Sequence, residues 1–466
     1  MTVGNFRPVA EADALRREQK AWNWYDWANS AYYTTVLAVL FAPYMITVAG
    51  RAAGCGDSAD ETCSKTVNVL GLHLAAGSLP SYLTSFATIV SAFLLPVVGA
   101  IADRSSRKKW HMGVFAWAGA FVAALLFFLS GDHWQLGAVA VVVSSILGGC
   151  SLVSYYAILV DISTEDERDR VSSSAWAWGY LGGGLLLAIN LVMVELHGTF
   201  GMGKEMAVRL SMLSAALWWA VFTVIPVVRL RNRPALGVLP EAGGLMRRSF
   251  GQLWATLKEL RAYPMTMTFL IAYLFYNDGI QTVIGSAATY GEKQLHFSET
   301  VLIATILLIQ FVAFAGALLF GRWADRYGAY GCLLWGTIAW MVIVILAMFL
   351  PAKGTGSLMV PLLLFLAVAI AIAVVLGGTQ ALSRSFFSLL IPRGREGEYF
   401  ALYNACERGT SWFGSLLFGV VFQVTGSYRP AIVSLIVFFL LGAIFLLRLD
   451  PRRGIAEAGN AMPRRR

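Results

Sequence analysis

Twelve stretches of mostly apolar residues, each long enough for a helix that crosses a bilayer, follow one another along this chain. Such a helix needs about 20 residues, because ~30 Å of hydrocarbon is covered at ~1.5 Å per residue. The first six stretches lie near 24–49, 81–102, 111–130, 135–160, 172–195 and 209–228. The second six lie near 265–286, 300–320, 331–350, 358–382, 400–425 and 431–448. Of the 466 residues, 58% are hydrophobic and only 14% are charged, where a soluble chain carries roughly 25% charged residues. The composition excludes a soluble enzyme, a disordered chain and a disulfide-stapled secreted domain. What remains is an all-α membrane protein.

The net charge of +9 needs no acidic partner or nucleic acid to explain it. Twelve crossings put both termini on one side of the membrane. With that side inside, the inner segments hold 28 of the 36 Lys and Arg residues. The outer loops hold seven: Arg51, Lys65, Lys204, Arg209, Lys293, Lys353 and Arg429. The remaining one, Arg408, falls within a span. This bias is what the positive-inside rule expects, so both termini are predicted to be cytoplasmic.

No cleavable signal peptide is expected, since the first apolar stretch follows a long charged arm and contains Asp26 and Asn29. The cluster Trp22, Trp24, Tyr25 and Trp27 reads as an aromatic belt at the cytoplasmic interface. Cys55 and Cys63 share the outer loop 51–79, where a small disulfide and two free thiols are both open. Cys150, Cys332 and Cys406 lie in helices and read as packing residues.

The chain repeats itself. Gly99-Ala100-Ile101-Ala102-Asp103-Arg104 closes the second span, and Gly321-Arg322-Trp323-Ala324-Asp325-Arg326 closes the eighth. Gly148-Gly149 in span four is echoed by Gly377-Gly378 in span ten. Both pairs stand six spans apart on helices running in the same direction, the signature of two parallel six-helix halves. The expected organisation is an N-terminal arm (1–22), a first bundle (23–228), a linker (229–264), a second bundle (265–449) and a basic tail (450–466). In the linker, Phe250, Leu253, Trp254, Leu257 and Leu260 fall at helical spacing among Arg247, Arg248, Lys258 and Arg261. That pattern predicts a short amphipathic helix on the inner membrane surface.

Gly99-x-x-x-Asp103-Arg104-x-x-Arg107-Lys108, between the second and third spans, resembles the loop motif of the major facilitator superfamily, departing from it at Ser106. The second copy keeps a glycine there, Gly328, but loses most of the basic residues. A narrower resemblance rests on four stretches in this order: Tyr25-Asp26-Trp27-Ala28-Asn29-Ser30-Ala31-Tyr32, Gly179-Tyr180-Leu181-Gly182-Gly183, Tyr276-Asn277-Asp278-Gly279-Ile280-Gln281-Thr282 and Gly377-Gly378-Thr379-Gln380-Ala381-Leu382-Ser383-Arg384-Ser385. Together they resemble the autophagy-related vacuolar effluxer family, whose bacterial branch is also called "unknown major facilitator". The resemblance implies the major facilitator fold, twelve transmembrane helices in two pseudo-symmetric bundles, and a secondary transporter that alternates access. The family's eukaryotic members are associated with amino-acid export from the vacuole, which implies an amino-acid-like solute without fixing it.

In a fold of this type, spans one, four, seven and ten line a central cavity, and ionisable groups at membrane depth are costly enough to be site candidates. Asp26, Asn29, Ser30 and Tyr33 form one stripe of span one. Tyr273, Asn277 and Gln281 form another on span seven, with Asp278 beside them about 20 Å up the axis. Gln380 joins them from span ten, with Thr379 and Ser383. Asp278 is the leading candidate for a proton carrier or a counter-charge to a substrate ammonium; its structural alternative is a carboxyl that fixes helix packing. Tyr33, Tyr273, Asn29, Asn277, Gln281 and Gln380 are candidate contacts to a polar ligand, with interhelical hydrogen bonding as the alternative for each. Asp26, placed at the interface, is expected to be structural or gating.

Asp103-Arg104 and Asp325-Arg326 stand where a helix meets the cytoplasm. By the same resemblance, such a carboxylate engages the start of a helix in the opposite half, which for Asp103 is span eleven near residue 400. A helix N-terminus offers partial positive charge and unpaired N–H groups to receive it. Glu407 and Arg408 low in span eleven, Asp161 with Arg168, and Arg384 with Glu398 add further charges to this gate.

No catalytic constellation accompanies these features. The five histidines are scattered without metal-ligand spacing, and no phosphate-binding glycine loop is present. The chain is expected to be no enzyme and to use no metal or cofactor. It should work as a monomer in a bacterial inner membrane, on a small-molecule substrate and with protons as a coupling ion. The competing readings are an effluxer of hydrophobic or cationic compounds or lipids, and a membrane receptor that does not transport.

Overall fold

A computed structural model describes residues 9–55, 66–69, 71–234, 258–351, 359–409 and 411–463. The chain is built almost wholly from helices, labelled here by the expected span each one carries. The first, α1 (Val9–Ala31), runs without a break through a π-helical stretch, Tyr32–Leu40, into Phe41–Ala52. Next come α2 (Leu79–Arg104), α3 (Lys108–Ala124), α4 (Trp134–Ile162), α5 (Arg168–Glu195) and α6 (Lys204–Arg229). The second series is α7 (Pro264–Thr289), α8 (Glu299–Tyr327), α9 (Ala329–Met348) and α10 (Met359–Leu389). It closes with α11 (Glu396–Gly409, resuming as Ser411–Thr425) and α12 (Tyr428–Ser434 and Ile436–Arg448).

Among the described residues, ten helices are long and apolar enough to cross a membrane. The two that fall outside this count are α7 and α11. Tyr273, Asn277, Asp278 and Gln281 interrupt α7. The eleventh is described as Glu396–Gly409 and Ser411–Thr425, with residue 410 outside the described residues.

Packing repeats six helices on. α1 packs against α5 and α6, and α7 against α11 and α12. α4 packs against α2 and α3, and α10 against α8 and α9, while α3 meets α6 and α9 meets α12. The halves are joined by α2 with α11, α5 with α8 and α10, and α4 with α11. Small residues set these approaches. A Cβ at Gly377 would stand 2.3 Å from Ala313 O on α8, so α8 and α10 lie backbone to backbone there. Gly148, its echo, instead makes room for the Tyr33 ring, whose hydroxyl a Cβ would meet at 2.7 Å.

Two short features lie outside the helices. Thr66–Val69 pairs antiparallel with Leu72–Ala75 in the loop between α1 and α2, where the sequence reading expected only a loop. Gly71 turns this hairpin at φ +90, and its N–H donates to Asn68 Oδ1. The basic tail folds as α13 (Pro451–Glu457), capped by Asp450, whose carboxylate accepts from the N–H groups of Arg452 and Arg453. Asn460 then donates to Leu389 O and Ile391 O, seating the tail under α10. The expected amphipathic linker helix lies largely outside the described residues; Leu260–Ala262 forms a single 3-10 turn before α7.

Candidate functional site: the joint between the two halves

The face carrying residues 105–107, 163–167 and 390–395, predicted to be cytoplasmic, is called the inner face below. Bonds that tie one half to the other cluster toward it. Asp103, at the inner end of α2, is 4% exposed. Its Oδ1 accepts from Gly397 N at 2.6 Å and its Oδ2 from Glu398 N at 2.9 Å. Both amides lie in the first turn of α11, where N–H groups have no intrahelical acceptor, so the carboxylate caps the helix of the opposite half. Only glycines permit the approach: a Cβ at Gly99 would sit 2.3 Å from Gly397 O, and one at Gly397 2.6 Å from Gly99 O. The contact falls where the Asp103 motif anticipates it.

The second copy of the motif is placed differently. Asp325 and Arg326 are exposed, and among the described residues neither forms a hydrogen bond or ion pair. Gly321 still brings α8 against the start of α5, where a Cβ would stand 2.7 Å from the Ser173 Cβ, but Asp325 does not cap that helix. Arg104 is half-buried, also with no such bond among the described residues. The other expected gate charges pair with different partners. Asp161 binds Lys108 at 3.1 Å rather than Arg168, and Lys108 also lies 3.9 Å from Glu396 across the joint. Arg168 is buried, donates to Ser388 O at 3.0 Å and lies 3.7 Å from Glu165. Glu165 in turn pairs with Arg393 of the opposite half. Glu398 pairs with Arg395 at 2.6 Å, not with Arg384. Of Arg408 only the helical backbone is described.

Arg384 makes the deepest link. It is fully buried on α10, yet its guanidinium lies among residues of the other half. Nη1 donates to Asp26 Oδ2 at 3.1 Å, Nε to Ser172 Oγ at 3.0 Å and Nη2 to Ser172 O at 3.0 Å. The rings of Trp22, Tyr156, Trp176 and Tyr155 surround it at 4.8, 5.2, 5.4 and 5.6 Å. Asp26, 6% exposed, is therefore not at a wet interface. Of the tryptophan cluster, Trp22, Tyr25 and Trp27 are buried inside the bundle and Trp24 is half-buried. Trp22 is fully buried, stacked on Tyr155 at 4.3 Å, and donates to Tyr155 O. Trp27 is 9% exposed and stacks on Trp218. Sequence alone could not separate the two settings, because indoles suit both a core and an interface.

Above this layer the second half holds its own polar cluster. Gln380 Nε2 donates to Asn277 Oδ1 at 3.0 Å, and Asn277 Nδ2 donates to Glu407 O at 3.1 Å. The cluster thereby links α7, α10 and α11. Tyr273 is buried and stacks on Tyr403 at 4.1 Å. Asp278 is 1% exposed, and its Oδ2 accepts from Gly414 N at 2.9 Å. Gly414 lies on α11, so Asp278 ties α7 to α11 through a backbone N–H, as Asp103 ties α2 to it. Asp278 Oδ1 has no hydrogen-bond partner among the described residues. Gln281 is half-buried.

On α1 the expected polar stripe meets α5 more than a cavity. Asn29 is 4% exposed, and the glycines Gly179 and Gly183 bring α5 against Ser30 and Thr34. Tyr33 is half-buried. Sequence reasoning missed one echo that marks the layer. Tyr25-Asp26 on α1 corresponds to Tyr276-Asn277 on α7, with the two tyrosine hydroxyls bonded to Ser151 on α4 and Ser383 on α10. Cys55 is disulfide-bonded, while Cys63 lies outside the described residues. Cys150, Cys332 and Cys406 carry free thiols. No cluster of metal-ligating side chains occurs among the described residues.

Comparison with known proteins gives a consistent result. A family model described as "Vacuole effluxer Atg22 like" matches residues 14–459. The uncharacterized MFS-type transporter YxiO of Bacillus subtilis (strain 168) is 31% identical over 451 residues, covering 96% of this chain and 98% of its own. Autophagy-related protein 22-2 of Emericella nidulans is 26% identical, covering 95% of this chain and 92% of its own. Among solved structures, the major facilitator superfamily proton:xylose symporter XylE aligns with a TM-score of 0.68 at 12% identity, covering 94% of this chain and 96% of its own. A bacterial homologue of the iron transporter ferroportin, in an outward-facing state, aligns with a TM-score of 0.62 at 16% identity, covering 94% and 99%. At these identities the two structures speak to the fold alone, which is that of the major facilitators.

Proposed function

The chain belongs to the Atg22-like vacuole effluxer family of MFS-type transporters, and from that premise we propose that it moves a small polar, amino-acid-like solute by alternating access, coupled to protons. The observation that carries the reading is that, among the described residues, the bonds between the halves lie toward one face. Asp103 with α11, Arg384 with Asp26, Arg168 with Ser388 and Arg393 with Glu165 all tie the inner face shut. A transporter needs two states that differ in which face is closed, and bonds made in only one of them set the balance. On this reading the conformation is the inner-closed one.

Asp278 is the proposed proton carrier. Its buried carboxylate holds α11 at Gly414 through one oxygen, and the other, with no partner among the described residues, is available to a proton. Protonation would weaken the charge-assisted bond to Gly414 N and so loosen a helix that α7 and α10 share. Asn277 and Gln380 stand one layer away as solute contacts. The excess of basic residues on the inner segments supports cytoplasmic termini, and the bacterial relative supports a plasma membrane, where the protein would act as a monomer.

The test is flux in proteoliposomes. A panel of amino acids is assayed with and without a pH gradient, in wild type and Asp278→Asn. The reading requires at least one solute whose flux follows the gradient and loses that dependence in Asp278→Asn. Absence of flux for every solute, in protein that binds one of them, would favour a receptor.

A further inference from the structure

Arg384 belongs to the second half, but everything that holds its guanidinium belongs to the first. Asp26 and Trp22 lie on α1, Tyr155 and Tyr156 on α4, and Ser172 and Trp176 on α5. The assembly has the chemistry of a cation receptor. One carboxylate oxygen, one hydroxyl and one carbonyl accept the three N–H donors, and four aromatic rings lie 4.8–5.6 Å from the guanidinium carbon. If the halves part at the inner face, Arg384 leaves with α10 and the receptor stays behind intact on the first half. Asp26 would then be a carboxylate in an aromatic setting without its counter-charge, which is costly. A free cation of the same shape would offset that cost, and would do so only in the inner-open state, so it would favour that state.

We propose that Asp26, Ser172 and the rings of Trp22, Tyr155, Tyr156 and Trp176 form a recognition site for a guanidinium-bearing solute, and that Arg384 occupies it as a built-in competitor while the inner face is closed. The proposal rests on the transporter reading above and gives it a substrate class. Arg384 is thereby both a lock and a mimic. It closes the inner face when no solute is present and yields to a solute that brings the same planar charge.

The test uses the full-length protein in lipid nanodiscs, titrated calorimetrically with n-butylguanidinium and with its neutral isostere n-butylurea. Wild type is expected to bind the cation saturably and the urea not at all. Asp26→Asn should lose at least tenfold in affinity. Arg384→Gln should gain at least tenfold, because the competitor is gone. The gain is the telling sign, since a residue that only braces the fold would weaken binding when removed. Should Arg384→Gln fail to fold, Arg384→Lys keeps the charge but not the planar fork, and a severalfold gain is expected. Equal binding of butylurea, or no saturable cation binding in wild type and either Arg384 variant, overturns the proposal. Flux of neutral solutes alongside that result would leave the transporter reading standing. Cation binding without flux of any solute would support the site and sink the transporter reading.

Discussion

Arg384 Nη1 lies 3.1 Å from Asp26 Oδ2, joining α10 to α1 across 358 positions of sequence, and the arginine is fully buried. Removing one partner of a buried pair leaves an uncompensated charge, at a cost of about 3–5 kcal/mol. Asp26→Asn should therefore shift the protein away from the inner-closed state. The reporter is Ser388→Cys, 1% exposed on the inner part of α10, with the free thiols replaced. Modification by an impermeant maleimide from the inner side should speed up by at least an order of magnitude in Asp26→Asn. An unchanged rate would show that the pair does not hold the face closed.

The Asp103 cap gives a second prediction. Two charge-assisted bonds to Gly397 N and Glu398 N are worth roughly 1.5–3 kcal/mol each when intact. Asp103→Asn retains one acceptor oxygen and no charge, so transport should fall severalfold while membrane insertion stays normal. Gly397→Ala should act in the same direction without touching a charge, because its Cβ meets Gly99 O at 2.6 Å. Surface abundance measured beside flux separates a gate defect from a folding one. Wild-type flux in both variants would remove Asp103 from the gate.

Asp278 separates charge from geometry. Asp278→Asn can still accept from Gly414 N, so the protein should fold, keep solute binding and lose coupling to the pH gradient. Asp278→Ala removes the bond to Gly414 N, worth about 1.5–3 kcal/mol for a charged acceptor, and should lower thermal stability as well. Thermal unfolding and gradient-driven flux, measured side by side, distinguish the two variants. Equal gradient dependence in wild type and Asp278→Asn would move the proton elsewhere.

The Glu165–Arg393 pair sits outside the spans and carries a pH signature. Burial pushes the Glu165 carboxyl up, but its own backbone N–H, Arg168 and Arg393 outweigh that and hold it below its ordinary value of 4.5. A depressed carboxylate contributes above its ordinary value, and the contribution is lost as pH falls through the depressed one. Inner-face closure through this pair should thus be level from about pH 7 to about pH 5 and weaken only in stronger acid. Glu165→Gln should remove that acid-side step, read as the Ser388→Cys modification rate against pH. A step of the same size in Glu165→Gln would assign it to another group.

Much of this was legible in the sequence, for physical reasons that can be named. Hydrocarbon thickness fixes helix length, so the helices fall close to the apolar stretches. The repeated Gly-x-x-x-Asp-Arg stretch marked the inner ends of α2 and α8, and resemblance pointed Asp103 toward α11. What stayed hidden depends on which helices meet. Nothing local to Asp26 indicates a partner on α10, so the residue read as interfacial, and Trp22 with it. The two motif copies look alike in sequence, yet only Asp103 caps a helix of the opposite half, while Asp325 is exposed. The Tyr25-Asp26 and Tyr276-Asn277 echo was visible and went unread.

The central claim is that bonds across the joint hold the inner face closed and that breaking them opens it. Spin labels at Ser106→Cys in the first half and Arg322→Cys in the second, both exposed near that face, report the separation by double electron–electron resonance. Wild type in nanodiscs is predicted to give one dominant short distance. Asp103→Asn combined with Asp26→Asn should add a second, longer population that becomes the major one. A single unchanged distance in the double variant, in folded protein, would contradict the account.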